Sequence, residues 1–137
     1  MSYSTSFPLA VEVILFIHIN NEDHCHDYLS KRIISEKLEV PVPTVSKVIS
    51  KLIHSGLLES KEGVKGGIAL VKPISATTLF EVFDAIEKGN PLFKIPNNLK
   101  DGPDFVGKMF AKGTDILTNA ESSMLNYLKG YTLSDLM

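Results

Sequence analysis

Between Thr44 and Lys51, small hydroxyl side chains alternate with lysines: Thr44, Ser46, Lys47, Ser50 and Lys51. Interleaved with them, Val45, Val48, Ile49 and Leu52 fall at i, i+3, i+4 and i+7, the spacing of one apolar stripe on a helix. The polar face that remains suits a helix laid in the major groove of DNA. Small side chains let its backbone approach base edges, and a Thr methyl or Val42 can touch thymine methyls. Lys47 and Lys51 would neutralise phosphates.

Two other groups invite chemistry. Gly63-Val64-Lys65-Gly66-Gly67 is Gly-rich and bears a lysine. It joins two short strand-like segments, 57–60 and 68–71, rather than a strand and a helix, so it is a hairpin tip and not a phosphate-cradling loop. Lys61, Lys65 and the close backbone at Gly66 would then face a phosphate. His24-Cys25-His26 suggests a metal ligand set or a thiol switch. Neighbours at i and i+2 do not share a helix face, and adjacent ligands in a loop need distant partners. A solvated loop is the expectation there. The alternative, Cys25 as a redox sensor, requires an intersubunit disulfide or a small-molecule cap, because the chain has one cysteine. No nucleophile with its base, and no pair of carboxylates, stands in a context for catalysis. The sequence predicts neither an enzyme nor a metal site.

These groups need elements to hold them. A β-branched run within 6–20, free of Gly, is long enough for a buried helix, and 20–27 is polar enough for a loop. Ser30 is placed to cap a short helix ending at Leu38, with Ile33, Ile34 and Leu38 turned inward. Its free backbone N–H groups would add a phosphate contact. Pro41 and Pro43 break that helix, and Pro43 fits the first turn of the next, 44–55, which Gly56 closes. Thr78-Leu79-Phe80-Glu81 is a capping box. It opens a helix with Leu79, Val82, Phe83 and Ile86 on one stripe and Gly89 at its end. Pro and Gly punctuate 90–103. A last long helix, from Asp104 to about Lys129, carries Val106, Phe110, Gly113, Leu117, Ala120 and Met124 at alternating spacings of four and three, an a/d seam for a second helix.

Together these predict a mainly α fold with a small β-hairpin, a winged helix-turn-helix followed by a long dimerisation helix. The expected organisation is a DNA-binding unit over 1–89, a linker loop over 90–103 and a dimerisation helix with its tail over 104–137, in one compact domain. The chain of 137 residues is 44% hydrophobic and 22% charged, which excludes a disordered or collagen-like polymer. The longest apolar run, 13–17, is far below the roughly 20 residues of a membrane helix. No Lys or Arg precedes Lys31, so the start lacks a secretory n-region. A cytoplasmic location without membrane contact is expected. The net charge of −2 opposes nucleic-acid binding taken globally. Locally, Lys47, Lys51, Lys61, Lys65 and Lys72 outweigh Glu59 and Glu62 between Pro43 and Lys72.

In order and spacing, Ile34-Ser35-Glu36, residues 45–52, Ser55-Gly56-Leu57-Leu58, the Gly63–Gly67 tip and residues 78–87 resemble the Rrf2 family of bacterial transcription regulators. Asn90-Pro91-Leu92-Phe93 and the closing residues 131–136 look like that family's later segments. The resemblance implies a winged-helix homodimer, joined through its long C-terminal helix, that binds a pseudo-palindromic operator; repression is the expected action, with activation left open. Family members with iron–sulfur clusters carry three cysteines in the segment matching 90–104. This chain has none there, so no cofactor is expected. Glu62 stands where the family's wing often has Arg, and Ile68 replaces its usual aromatic. Some cluster-free relatives work through a partner enzyme. A regulatory protein partner or a small-molecule effector therefore stays open, as does the competing reading of a winged-helix protein-interaction module.

Overall fold

The computed structural model describes residues 5–24, 28–64, 66–93 and 104–137, with the side chains of 22–24 and 104–106 excepted. The first helix, α1 (Ser6–His24), is mostly apolar over 7–19, with Glu12 exposed. Ala10, Val13, Ile14 and Ile17 form its buried face. The helix runs four residues beyond the predicted end at Asn20. Nothing in Asn20-Asn21-Glu22-Asp23 stops a helix, since polar side chains are tolerated in a last turn and only Gly or Pro would break it.

A tight pair follows, α2 (Lys31–Leu38) and α3 (Val42–His54). Ser30 caps α2 as expected, its Oγ accepting the Ile33 N–H at 3.1 Å. Ile34 is fully buried, whereas Ile33 is 40% exposed, contrary to the sequence expectation. A helix of two turns can press one stripe inward. Here Ile34 and Leu38 occupy it, and Ile33 is rotated about 100° off that line. The turn is closed by Glu39 in the left-handed region (φ 57°), and the Val40 N–H reaches the Ser35 carbonyl at 3.1 Å. Helix α3 starts two residues before the predicted Thr44. The Pro41 carbonyl accepts from the N–H groups of Thr44 and Val45, and Pro43 lies in the first turn, where no donor is needed. Val45, Val48, Ile49 and Leu52 are each 1% exposed or less. Gly56 (φ 84°) ends the helix as predicted.

The hairpin is β1 (Leu58–Lys61) and β2 (Gly67–Leu70), paired antiparallel with Leu58 opposite Leu70 and Lys61 opposite Gly67. A third rung comes from Leu29, bonded to Ile68 in both directions at 3.1 and 2.7 Å. The double glycine is a steric requirement of this arrangement. A Cβ on Gly66 would lie 1.9 Å from the Lys61 carbonyl oxygen. One on Gly67 (φ 145°) would lie 2.6 Å from the Leu29 oxygen.

A short 3₁₀ turn (Ile74–Ala76) leads to α4 (Leu79–Glu87). Its capping box is complete: the Glu81 N–H donates to Thr78 Oγ1 at 3.1 Å, and the Thr78 N–H to Glu81 Oε2 at 2.8 Å. Lys72 adds an ammonium 2.5 Å from Glu81 Oε1. Burial pulls the Glu81 carboxyl up, but the bonds from Lys72 and Thr78 outweigh it and hold the group below the ordinary glutamate range. Helix α5 (Asp104–Lys129) packs on α4. The chain then returns to α4, where the Leu79 N–H donates to Tyr131 and the Leu133 N–H to Thr77, both at 2.9 Å. Among the described residues no helix is long and apolar enough to cross a membrane.

Two outcomes follow. Gly66→Ala or Gly67→Ala is expected to lower the denaturant midpoint, at a cost of about 1–3 kcal/mol for a strained backbone; an unchanged midpoint would show that the wing adapts. The Glu81 carboxyl titrates lower in the folded chain than unfolded. Its stabilisation is therefore present above the ordinary glutamate range and lost as pH falls through the depressed value. Glu81→Gln should flatten the acid limb of a stability–pH curve, and an identical limb would remove Glu81 from that role.

Candidate nucleic-acid interface

Helix α3 owes its orientation to the buried stripe, which turns the opposite face to solvent. Thr44, Lys47 and Ser50 lie exposed there, and Val42 at the helix start is 43% exposed. The two remaining predicted readers sit on the flanks. Ser46 is half-buried toward α2, and its Oγ accepts from Lys31 Nζ at 3.3 Å. Lys51 is half-buried on the other flank, where Nζ donates to the Ile86 carbonyl at 3.3 Å. That carbonyl lies in the last turn of α4, so the ammonium also complements the negative end of that helix. Lys51 is thus spent inside the fold. Lys72 is held by Glu81 in the same way.

The hairpin packs against α3 through β1. Lys61 Nζ stands 5.9 Å from the centre of the Tyr28 ring, and Tyr28 donates its hydroxyl to Glu59 Oε1 at 3.1 Å. Bonding to the Glu59 carboxylate, aided by its charge and by burial, raises the Tyr28 pKa and keeps the phenol protonated. Glu62, Gly63 and Val64 are exposed at the tip. Gly66 serves the turn through its N–H, which donates to the Gly63 carbonyl at 3.0 Å, and through its missing Cβ. Lys65, predicted to meet a phosphate, lies outside the described residues.

Sequence reasoning passed over Lys31 and Arg32, in the first turn of α2. A signal was present. Cations in a first turn oppose the helix dipole, so two in succession after the Ser30 cap are not there for helix stability. Arg32 pairs with Glu36 at 3.6 Å on an open surface. With Lys51 and Lys72 engaged elsewhere, the cations that α2, α3 and the wing turn to solvent among the described residues are Arg32, Lys37, Lys47 and Lys61, while Lys31 is half-buried against Ser46.

Of the α5 seam, Phe110, Gly113, Leu117 and Met124 are half-buried and Ala120 is exposed, while the Val106 side chain lies outside the described residues. The large apolar groups most open on this helix are instead Met109, Ile116 and Tyr127, at 61–67%. They run beside the predicted stripe, sharing Gly113 and Ala120 with it at the same alternation of four and three. The predicted stripe is thus less open to solvent than the line beside it. A Cβ at Gly113 would meet nothing within 4 Å. Cys25 and His26 lie outside the described residues, as does the side chain of His24.

Comparison with known proteins agrees with this geometry. The family model described as "Rrf2: Iron-dependent Transcriptional regulator" matches residues 3–137. YwgB of Bacillus subtilis (strain 168), which carries the name of an HTH-type transcriptional regulator, is 28% identical over 109 residues, spanning 80% of this chain and 69% of YwgB. Among solved structures, IscR of T. potens superposes with a TM-score of 0.70 at 18% identity, over 99% of this chain and 85% of that one. CymR, the global cysteine regulator of B. subtilis, gives 0.64 at 16% identity, over 99% and 95%. The iron in the family's description does not fit the donors of this chain. Cys25 is its one thiol, and thiolates are the usual cluster ligands. Among the described residues no three His, Cys, Asp or Glu side chains converge on a point. The match over nearly the whole chain, the helix-turn-helix with its exposed polar face and the double-glycine wing establish the chain as a member of the Rrf2 family, a DNA-binding transcription regulator and not an enzyme.

Proposed function

We propose that the chain acts in the cytoplasm as a homodimeric repressor on a pseudo-palindromic operator. Each α3 would lie in a major groove with Thr44 and Ser46 toward base edges and Lys47 and Ser50 toward the strand beside them. The observation that carries this reading is the exposed polar face of α3, bounded by Lys31 on one flank and by the wing lysine Lys61 beyond it. Phosphates would be met by Arg32, Lys47 and Lys61, with the free N–H groups at the start of α2 adding one contact. Dimerisation is supported by α5. Its open apolar line through Met109, Gly113, Ile116, Ala120 and Tyr127 lies beside Phe110, Leu117 and Met124, a surface that a single soluble chain rarely leaves to water. Two small residues on this line let a second helix come close. Occupation of an operator by such a dimer blocks access to it, and repression is the regulatory action that binding alone supplies.

Two experiments test this. In titrations of an operator duplex at several salt concentrations, Lys47→Ala should lower the log–log slope by about one unit for each phosphate no longer neutralised. Lys51→Ala should leave the slope unchanged and lower thermal stability instead. Equal slope changes for both would return Lys51 to the DNA face. In sedimentation at micromolar concentration the chain should run as a dimer. Ile116→Glu or Leu117→Glu should run as a monomer with most operator affinity lost, and a dimer that survives both substitutions would place the interface elsewhere.

A further inference from the structure

We propose that Lys31 and Ser46 form one base-reading unit that selects guanine at a single position of each half-site. The inference deepens the reading above, since it rests on α3 lying in the major groove. Lys31 is the first residue of α2, and that first turn carries no acidic side chain to hold a cation. Its charge also opposes the helix dipole there. The side chain does not follow its neighbour Arg32, which pairs along its own helix with Glu36. It crosses to the recognition helix instead, and its Nζ lies 3.3 Å from Ser46 Oγ in a half-buried setting.

The chemistry of that contact fixes what the pair can recognise. An ammonium has only donors, so Ser46 Oγ is the acceptor. Its hydroxyl hydrogen is left to point away from Lys31, polarised by the adjacent positive charge. The remaining Oγ lone pair, beside a cation, is a poor acceptor for anything else. Lys31 itself retains two unused N–H groups. The pair therefore presents hydrogens and no effective acceptor to whatever faces it. In the major groove, adenine and cytosine each show an amino donor, and thymine shows one acceptor beside its methyl. Guanine alone offers two acceptors, N7 and O6, with no donor. A free serine discriminates poorly because its hydroxyl rotates to suit either partner. Lys31 removes that freedom, and so is a specificity-determining residue that acts partly through Ser46.

The test is selection of duplexes from a random-sequence pool by the full chain and by Lys31→Met, Ser46→Ala, the double variant and Lys31→Arg. The wild-type chain should recover sites with a fixed guanine at one position per half-site. Lys31→Met and Ser46→Ala should each relax that same position by about tenfold or more, the double variant should relax it no further, and Lys31→Arg should keep it. With the wild-type protein alone, 7-deazaguanine at that position should weaken binding by a similar factor, a result that needs no variant to fold. The proposal is overturned if Lys31→Met weakens all duplexes alike with its base preference intact, since Lys31 would then be a phosphate contact only. It is overturned equally if the two single variants relax different positions. Should Thr44→Ala and Ser46→Ala both leave every preference unchanged while binding persists, α3 is not the reader, and the parent reading falls along with the pair.

Discussion

The close passage of Leu29 over Gly67 is the constraint on which the DNA-facing side of this molecule depends. Their neighbourhood leaves no room for a Cβ at Gly67, and the two bonds between Leu29 and Ile68 make the residue before Ser30 part of the hairpin. The start of α2 is therefore fixed to the wing, not merely to α3. Three groups inherit their positions from that junction. Tyr28, one residue upstream, is held by Glu59 and lies under Lys61. Ser30, one residue downstream, caps α2. Lys31 follows directly and crosses to Ser46. A wing that shifted would carry the first turn of α2 with it, so the groups proposed to read bases and to meet phosphates would move as one body.

Charge in this chain is allocated rather than abundant. A net charge of −2 supplies no long-range attraction to a polyanion. Of the local lysine excess, part serves the fold: Lys51 holds the end of α4 to α3, and Lys72 completes the cap of α4 through Glu81. Glu59 accepts a hydrogen bond from Tyr28. What remains for DNA is a small set of cations on α2, α3 and the wing. Binding of this kind rests on short-range fit, and it weakens steeply with salt for each phosphate it neutralises.

Legibility in the sequence followed the range of the interaction involved. The α3 stripe, the Gly56 end, the Ser30 cap and the Thr78–Glu81 box are local. Each is decided by residues within one or two turns, and each was readable from spacing alone. The polar run at 20–23 reads as a break after α1, although none of those residues disrupts a helix. Ile33 reads as core by its type, but a two-turn helix has room for one stripe. The roles of Lys51 and Lys31 depend on Ile86 and Ser46, 35 and 15 residues away. No periodicity reveals such partners, so two lysines of identical chemistry divide between fold and interface only once the helices are packed. The seam on α5 is legible as a spacing but not as a rotation, because spacing within one helix does not tell which of two adjacent stripes the rest of the fold leaves open.

Helix α4 is the element through which reading and assembly meet. It packs against α1, α3 and α5, and its buried residues Val82, Phe83 and Ile86 are shared among those contacts. Lys51 bonds α3 to its last turn. The C-terminal segment returns to its first turn through Tyr131 and Leu133, the latter fully buried. The angle between α3 and α5 is thus set by how α4 sits. In a two-fold dimer joined through α5, that angle sets the distance between recognition helices, and half-sites must lie about 34–36 Å apart to present equivalent grooves. A small rotation of α4 would displace both copies of α3 in opposite senses and change that distance twice over. The capping box, the Lys72 ammonium and the returning chain all anchor the start of α4, whereas its far end is held by Lys51 from the recognition helix itself. In such a dimer, register on DNA and the packing of α4 would be one mechanical quantity.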